Sequence, residues 1–325
     1  MTSTRPFRFA AQAFKPESAK EWTDTARKAE DLGYSALHVA DHYFGEGAAL
    51  AAASHPVQTV AAIPAMMAAA AVTESIKIGS RVMCCDYHHP MVLMKELATI
   101  DLLSDGRLEP GFGAGWITTE YEAMNIPMDG AGVRIARMAE YVEFARSFFA
   151  GDDLDFNGEY VKVTDTAAVP ASPQDGGPRI MIGGGAPKVL GIAGQLADIV
   201  SINFNNSAGK IGAKGIGSGT AEGTAEKVGW IRDGAGDRFD DIEIEIAAYF
   251  TTVTNKTEPT VAAMAGAFGM EPEVLAAHPH ALIGSTDEII ETLQRRRADY
   301  GISYITVGDT VLDSFAPVVA ALAEN

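Results

Sequence analysis

The chain of 325 residues has few cysteines, few basic residues and no long apolar run. Only Cys84 and Cys85 are present, which excludes a disulfide framework and a zinc site built on paired CxxC motifs. The apolar segment 57–72 contains Gln58 and Pro64 and is too short and too polar to span a bilayer. No apolar run follows the first basic residues, so we expect no secretory signal. We therefore expect a cytoplasmic protein with no membrane partner.

Basic side chains are outnumbered by acidic ones, 25 to 43, and the formal net charge is −18. We expect no nucleic-acid partner, because phosphate backbones are bound by clustered lysine and arginine. Apolar residues make up 47% of the chain, enough for a sizeable core. The length alone allows two small domains or one large one. We interpret 1–325 as a single α/β domain.

Strand-like runs alternate with longer amphipathic stretches along the whole chain. The predicted strands are 7–14, 36–43, 76–83, 106–116, 179–185, 197–204, 242–253 and 304–310. Eight strands that are each followed by helical sequence predict a parallel (β/α)8 barrel, the TIM barrel, with insertions after strands 4 and 7. An open doubly wound sheet is the competing fold, but it requires a glycine fingerprint after the first strand, where the sequence reads KPES. We interpret the Gly-rich segment 205–223 as a mobile loop.

Glycines occupy every second position of the fourth predicted strand, at Gly111, Gly113 and Gly115, before Trp116. Alternate residues of a strand share one side, so this side carries no side chains. Two explanations stay open. The glycines allow close packing or a bend of the barrel, or they leave room for a flat ring near the carboxyl end of the strand, where active sites of this fold lie.

Four motifs carry a resemblance to a known family: VADHYF, GSRVM, ATIDLLSDGRLEPGFGAGWITTEYEAMNIP and IMIGGGAPKVL. In this order and spacing they resemble the luciferase-like monooxygenase superfamily, and within it the coenzyme F420-dependent oxidoreductases of actinobacteria. The resemblance runs over about 7–323 and implies a TIM-like barrel, often a homodimer, with a flavin or deazaflavin in its mouth. Two residues depart from the pattern. Pro110 replaces an aliphatic residue, and Trp116 stands where some sugar-phosphate dehydrogenases of the family carry a catalytic glutamate, so that activity is not expected.

Asp41 and His42 end the second predicted strand and are the candidate catalytic residues. An imidazole titrates near neutral pH and can exchange a proton with a substrate. The resemblance implies that His42 lies over the reactive carbon, with Asp41 nearby. The alternative is a hydrogen-bonded pair that only fixes a loop.

The turn GGGAP at 183–187 ends the fifth predicted strand and begins a helix, where backbone N–H groups can bind a phosphate. A plain strand-to-helix turn is the alternative. The resemblance further implies a cis peptide bond at Arg81–Val82 that supports the middle ring. The predicted cofactor contacts are Arg81, Val82, Gly113, Gly115, Trp116, Tyr121, Gly184, Gly185 and Ala186. We predict no metal site, because His88 and His89 are neighbours in an extended segment and point in opposite directions.

Taken with the resemblance, these residues indicate an oxidoreductase that transfers a hydride between coenzyme F420 and a small organic substrate. An FMN-dependent monooxygenase that uses reduced flavin and oxygen is one alternative, and a non-catalytic cofactor-binding relative is another. The net charge favours FMN, because the anionic tail of the deazaflavin requires local basic residues. The candidates for that role are Arg81, Arg134, Arg137, Lys188, Lys210 and Lys214.

Overall fold

The structure is a computed structural model that describes residues 5–151 and 153–323. Its strands, in chain order, are β1 (Arg8–Ala13), β2 (Ala36–Val39), β3 (Lys77–Ser80), β4 (Met83–Cys84), β5 (Leu108–Glu109), β6 (Gly111–Gly113), β7 (Asp153–Asn157), β8 (Lys162–Ala167), β9 (Met181–Gly184), β10 (Ile199–Ile202), β11 (Glu243–Ala247), β12 (Phe250–Val253), β13 (Ala281–Gly284) and β14 (Ile302–Gly308).

The helices surround these strands. They are α1 (Ala19–Asp31), α2 (Ala48–Ala53), α3 (Ala62–Ala70), α4 (Pro90–Leu103), α5 (Thr118–Ala123), α6 (Ala131–Ala150), α7 (Pro187–Leu196), α8 (Ala213–Gly217), α9 (Ala221–Ala235), α10 (Thr257–Phe268), α11 (Pro272–Ala277), α12 (Thr286–Tyr300) and α13 (Leu312–Leu322). None of the helices in the described ranges is long and apolar enough to cross a membrane.

The main sheet is parallel throughout, and its pairings run around a closed circuit. β1 pairs with β2 on one side and with β14 on the other. β3 pairs with β5, and β4 pairs with β6, which in turn pairs with β9. β3 and β4 are therefore two parts of the third barrel strand, and β5 and β6 are two parts of the fourth. Strands β9, β10, β11 and β14 complete the circuit as the fifth to eighth. The predicted parallel barrel is confirmed.

Two barrel strands are interrupted near their carboxyl ends. The third breaks at the Arg81–Val82 peptide bond, which is cis, in agreement with the resemblance. The fourth breaks at Pro110, which has no N–H to donate to the ladder. Its carbonyl still accepts from Met181 N at 2.9 Å, so the fourth strand stays attached to the fifth.

The predicted strand 242–253 is wrong, because the chain leaves the barrel after β11. Its second half, β12, pairs instead with β13 in a separate two-stranded sheet. α10 and α11 lie between those strands, so this unit stands between the seventh and eighth barrel strands. Between the fourth and fifth barrel strands the chain forms α5, α6 and the antiparallel hairpin β7–β8. The segment 205–223 is not loop throughout, since it contains α8 and the start of α9.

Charged side chains occupy the barrel interior near the amino ends of the strands. Arg8 forms ion pairs with Glu109 at 2.7 Å and with Glu243 at 2.8 Å, and the Tyr304 hydroxyl donates to Glu109 at 2.7 Å. Burial alone would raise the pKa of Glu109, but Arg8, His38 and Tyr304 together outweigh burial and hold that pKa well below its usual range. This end of the barrel is filled by paired charges, which leaves the carboxyl end for a ligand.

Candidate active site

His42 is held at the barrel mouth by a buried carboxylate on a different element. Its Nδ1 lies 2.8 Å from Oε2 of Glu120, which α5 carries. Glu120 is fully buried and also accepts from the Tyr43 backbone N–H at 2.7 Å and from the Tyr87 hydroxyl at 3.2 Å. A carboxylate that accepts here assigns the ring proton of neutral His42 to Nδ1. Nε2 is then the nitrogen that can take a proton from a ligand.

Asp41, the other predicted catalytic residue, directs its carboxylate away from His42. Its Oδ2 accepts from the Cys84 backbone N–H at 3.0 Å and lies 2.7 Å from His88 Nε2. Only 2% of the residue is exposed. The structure therefore joins Asp41 to the end of the third barrel strand, as in the loop-fixing alternative, but with His88 as the imidazole partner.

His55 lies beside His42, although no motif in the sequence surrounds it. The ring centroids of the two histidines are 4.2 Å apart, and Trp116 lies 6.4 Å from His42 and 5.9 Å from His55. His55 Nδ1 is 2.8 Å from the Pro56 carbonyl oxygen, which can only accept. Burial and the neighbouring His42 lower the pKa of His55 to about 3, so His55 is neutral at physiological pH. His55 is accordingly not a proton carrier at that pH.

The glycines of the fourth barrel strand make room for a side chain of the third. A Cβ on Gly113 would lie 2.6 Å from Val82 Cγ2, and one on Gly111 would lie 2.3 Å from the Ser80 carbonyl oxygen. Val82 itself is only half-buried. Close packing therefore accounts for Gly111 and Gly113, and the space opposite them is filled by Val82.

Gly115 is required by Tyr121. Gly115 has a φ of +69°, and a Cβ there would lie 1.9 Å from the Tyr121 hydroxyl. Tyr121 is fully buried and donates to Asp86 Oδ2 at 2.8 Å. The Tyr121 side chain lies beneath Gly115, and its contact with a cofactor stays a prediction.

Arg81 is buried and joins the third barrel strand to the sixth and seventh. Its Nε donates to Glu245 at 3.0 and 3.1 Å, and its terminal nitrogens donate to the Tyr249 hydroxyl at 3.2 Å and to Asn203 Oδ1 at 3.3 Å. Burial alone would lower the pKa of Arg81, but Glu245 and Tyr249 together outweigh burial and raise that pKa. Arg81 thus fixes the chain on one side of Val82.

The predicted phosphate-binding turn lies between β9 and α7. A Cβ on Gly185 would lie 2.1 Å from the Phe204 carbonyl oxygen, so packing against the sixth strand is enough to require glycine. Gly184 and Ala186 are half-buried, and Ala186 precedes the Pro187 that begins α7. The start of α7 follows directly on the carboxyl end of the fifth barrel strand. A phosphate role for 184–186 stays a prediction.

The model of the family described as luciferase-like monooxygenase matches residues 2–301, most of the chain. The chain belongs to this family. An F420-dependent glucose-6-phosphate dehydrogenase of Nocardia farcinica is 32% identical over 200 residues, which are 59% of this chain and 54% of that protein. The family member described here spans about half the length of the first curated relatives it matches.

Solved structures share the fold of this chain at low sequence identity. An F420-dependent secondary alcohol dehydrogenase in complex with an F420–acetone adduct has a TM-score of 0.77 at 17% identity, over 98% of this chain and 100% of that one. The long-chain alkane monooxygenase LadA has a TM-score of 0.75 at 16% identity, over 98% and 92%. At these identities the likeness shows the barrel fold alone.

Proposed function

We propose that the protein is an oxidoreductase that transfers a hydride between coenzyme F420 and a small organic substrate, with His42 as the proton carrier. The observation that carries the proposal is the pair of His42 and Glu120. A buried carboxylate holds Nδ1, so Nε2 can exchange a proton with a ligand in the mouth. F420-dependent enzymes among the relatives of this chain support the choice of cofactor.

The residues present fit a flat ring with a phosphate. Val82 offers a half-buried apolar surface at the mouth, supported by Arg81 from within the protein. Gly184 and Ala186 lie half-buried before α7, a helix of 10 residues whose first N–H groups point to its start. In this proposal Val82 and Trp116 would hold the ring, and 184–186 would bind the phosphate.

The anionic tail of the deazaflavin requires basic side chains near the mouth. Arg81 is committed to Glu245, and Arg137 to Asp86 at 2.7 Å. Arg134 donates to the carbonyl oxygens of residues 114 and 115 at 3.0 and 3.4 Å. The three lysines proposed for this role, Lys188, Lys210 and Lys214, are exposed. We infer that these lysines contact the tail. Because they are exposed, their contribution to the binding free energy should fall as the salt concentration rises.

The coenzyme, when bound, supplies the acceptor or donor of the hydride. As a hydride leaves a C–H bond of the substrate, a proton leaves the adjacent O–H or N–H group and is taken by Nε2 of His42. Glu120 stabilises the imidazolium that forms, through the hydrogen bond to Nδ1. In the reverse direction the same proton returns to the substrate. His55 stays neutral beside this exchange.

An FMN-dependent monooxygenase is the second candidate. The net charge of −18 favours a cofactor without a polyanionic tail, and the fold is shared with an alkane monooxygenase. The third candidate, a non-catalytic relative, would bind a cofactor without turnover.

Titration of the purified protein with F420 and with FMN, followed by ring fluorescence, separates these candidates. We expect F420 to bind and FMN to bind at least ten-fold more weakly. His42→Asn should abolish turnover of any substrate found in an alcohol and aldehyde screen, whereas the exposed His89→Asn should not. Tight FMN binding without F420 binding, together with oxygen consumption by the reduced-FMN protein, would overturn the proposal. An unaltered rate in His42→Asn would exclude His42 as the proton carrier.

The predicted homodimer and cytoplasmic location remain predictions. Light scattering coupled to size-exclusion chromatography measures the first directly, and a mass of 34.3 kDa would exclude the dimer.

A further inference from the structure

The segment 205–218, which we name the mouth loop, leaves the carboxyl end of the sixth barrel strand and returns to nearly the same place. At its base the Asn205 backbone N–H donates to Ser218 Oγ at 2.7 Å, and this hydroxyl donates to the Gly215 carbonyl oxygen at 2.6 Å. The segment includes α8, and these two hydrogen bonds join its ends. Its base is therefore fixed independently of its tip.

The tip of the mouth loop contacts the opposite rim of the barrel. The Ile211 N–H donates to the Ala53 carbonyl oxygen at 3.0 Å, and the Thr118 N–H donates to the Gly209 carbonyl oxygen at 3.3 Å. Ala53 ends α2, which follows the second barrel strand, and Thr118 begins α5, which follows the fourth. The second and sixth strands lie opposite each other in an eight-stranded circuit. A loop that joins them crosses the mouth into which His42 projects.

Few residues attach the tip of the mouth loop to the opposite rim. Gly209 is buried, has a φ of +72°, and a Cβ there would lie 2.2 Å from Thr118 Oγ1. Ser207, Ala208 and Lys210 around it are exposed. The tip can dock against α5 only because residue 209 has no side chain, and two backbone hydrogen bonds hold it there.

We propose that the mouth loop is a gate, which lifts at its tip to admit ligands to His42 and closes over them. The identity of the ligand, a deazaflavin and a small substrate, rests on the proposed function. The proposed motion of the loop does not, since it is argued from the contacts of the loop itself.

The test compares two glycine-to-alanine substitutions in the same loop. Gly209→Ala introduces the contact with Thr118 and strains a left-handed backbone, so the tip cannot dock. In the control Gly212→Ala, φ is −176° and the added Cβ meets nothing within 4 Å. We expect amide exchange at Ile211 and Thr118 to be at least ten-fold faster in Gly209→Ala than in Gly212→Ala. Thermal unfolding of both variants checks that the barrel itself is unchanged.

Two further measurements report on the gate. Diethyl pyrocarbonate should modify His42 at least ten-fold faster in Gly209→Ala, as measured by peptide mass spectrometry. F420 should dissociate at least ten-fold faster from that variant. Equal exchange and equal modification in the two variants would overturn the gate. If the wild-type protein binds neither F420 nor FMN, the proposed function fails, while exchange and modification still decide whether the loop opens.

Discussion

Replacing Glu120 by glutamine should reverse the tautomer of His42 while the fold is retained. In the wild-type protein both carboxylate oxygens only accept, one from the Tyr43 N–H and the other from the Tyr87 hydroxyl and His42 Nδ1. Glutamine can keep one oxygen toward the Tyr43 N–H, which can only donate. Its NH2 group then faces His42, whose Nδ1 must accept, so the ring proton moves to Nε2.

The expected loss of stability follows from the count of these hydrogen bonds. In Glu120→Gln every partner can still be paired, so we expect a loss of about 1 kcal/mol in the free energy of unfolding. In Glu120→Ala three donors lose a buried acceptor, at about 1–3 kcal/mol each. We therefore expect a loss of at least about 3 kcal/mol for the alanine variant. Any proton-coupled turnover should fall by about 10²- to 10⁴-fold in the glutamine variant, because neutral His42 no longer presents a bare Nε2.

Nitrogen-15 spectra of the histidine rings measure the tautomer, and urea unfolding measures stability. Glu122→Gln is the matched control, since Glu122 lies two residues further along α5 and is exposed. It should change neither the tautomer nor the stability by a measurable amount. A glutamine variant that keeps the proton on Nδ1, or an alanine variant as stable as the control, would refute the role assigned to Glu120.

Three further predictions concern the packing around the site. Arg81→Met should cost about 3–5 kcal/mol in the free energy of urea unfolding, because Glu245 loses its ion-pair partner in a fully buried position. Replacing both residues by methionine should recover most of this loss, and a cost below about 1 kcal/mol would contradict the prediction. Burial lowers the pKa of His278 to about 4 and the pKa of His280 well below its usual value. The unfolded chain therefore binds protons first as the pH falls below about 6.5, and the free energy of unfolding should fall by about 1.4 kcal/mol per pH unit for each histidine down to about pH 4. An unfolding free energy that does not change between about pH 4.5 and pH 6.5 in urea titrations would exclude this. Gly185→Ala should lower the unfolding free energy by about 1–3 kcal/mol through the backbone contact at 2.1 Å, and an unchanged urea midpoint would show that the turn can relax.

The barrel could be predicted from the sequence because alternation of strand and helix is a local property, repeated along the chain. The positions of Asp41 and His42 at the end of a strand followed in the same way, since the carboxyl ends of parallel barrel strands meet at one mouth. Pro110 indicated the break in the fourth strand, because proline has no N–H group to donate to the hydrogen-bond ladder. The departure of β12 from the barrel could not be predicted, because 242–253 is one continuous strand-like run and the partners of β11 and β12 lie far along the chain.

The sequence by itself determined the fold, the histidine and the glycines that surround the candidate site. Only the tertiary structure decided what each of them contacts. His42 meets Glu120 across 78 residues, Gly113 makes room for Val82, and Gly115 makes room for Tyr121. These pairs belong to different elements, and a periodicity read along one element carries no information about which side chain of another will face it. Closure of the barrel brings them together.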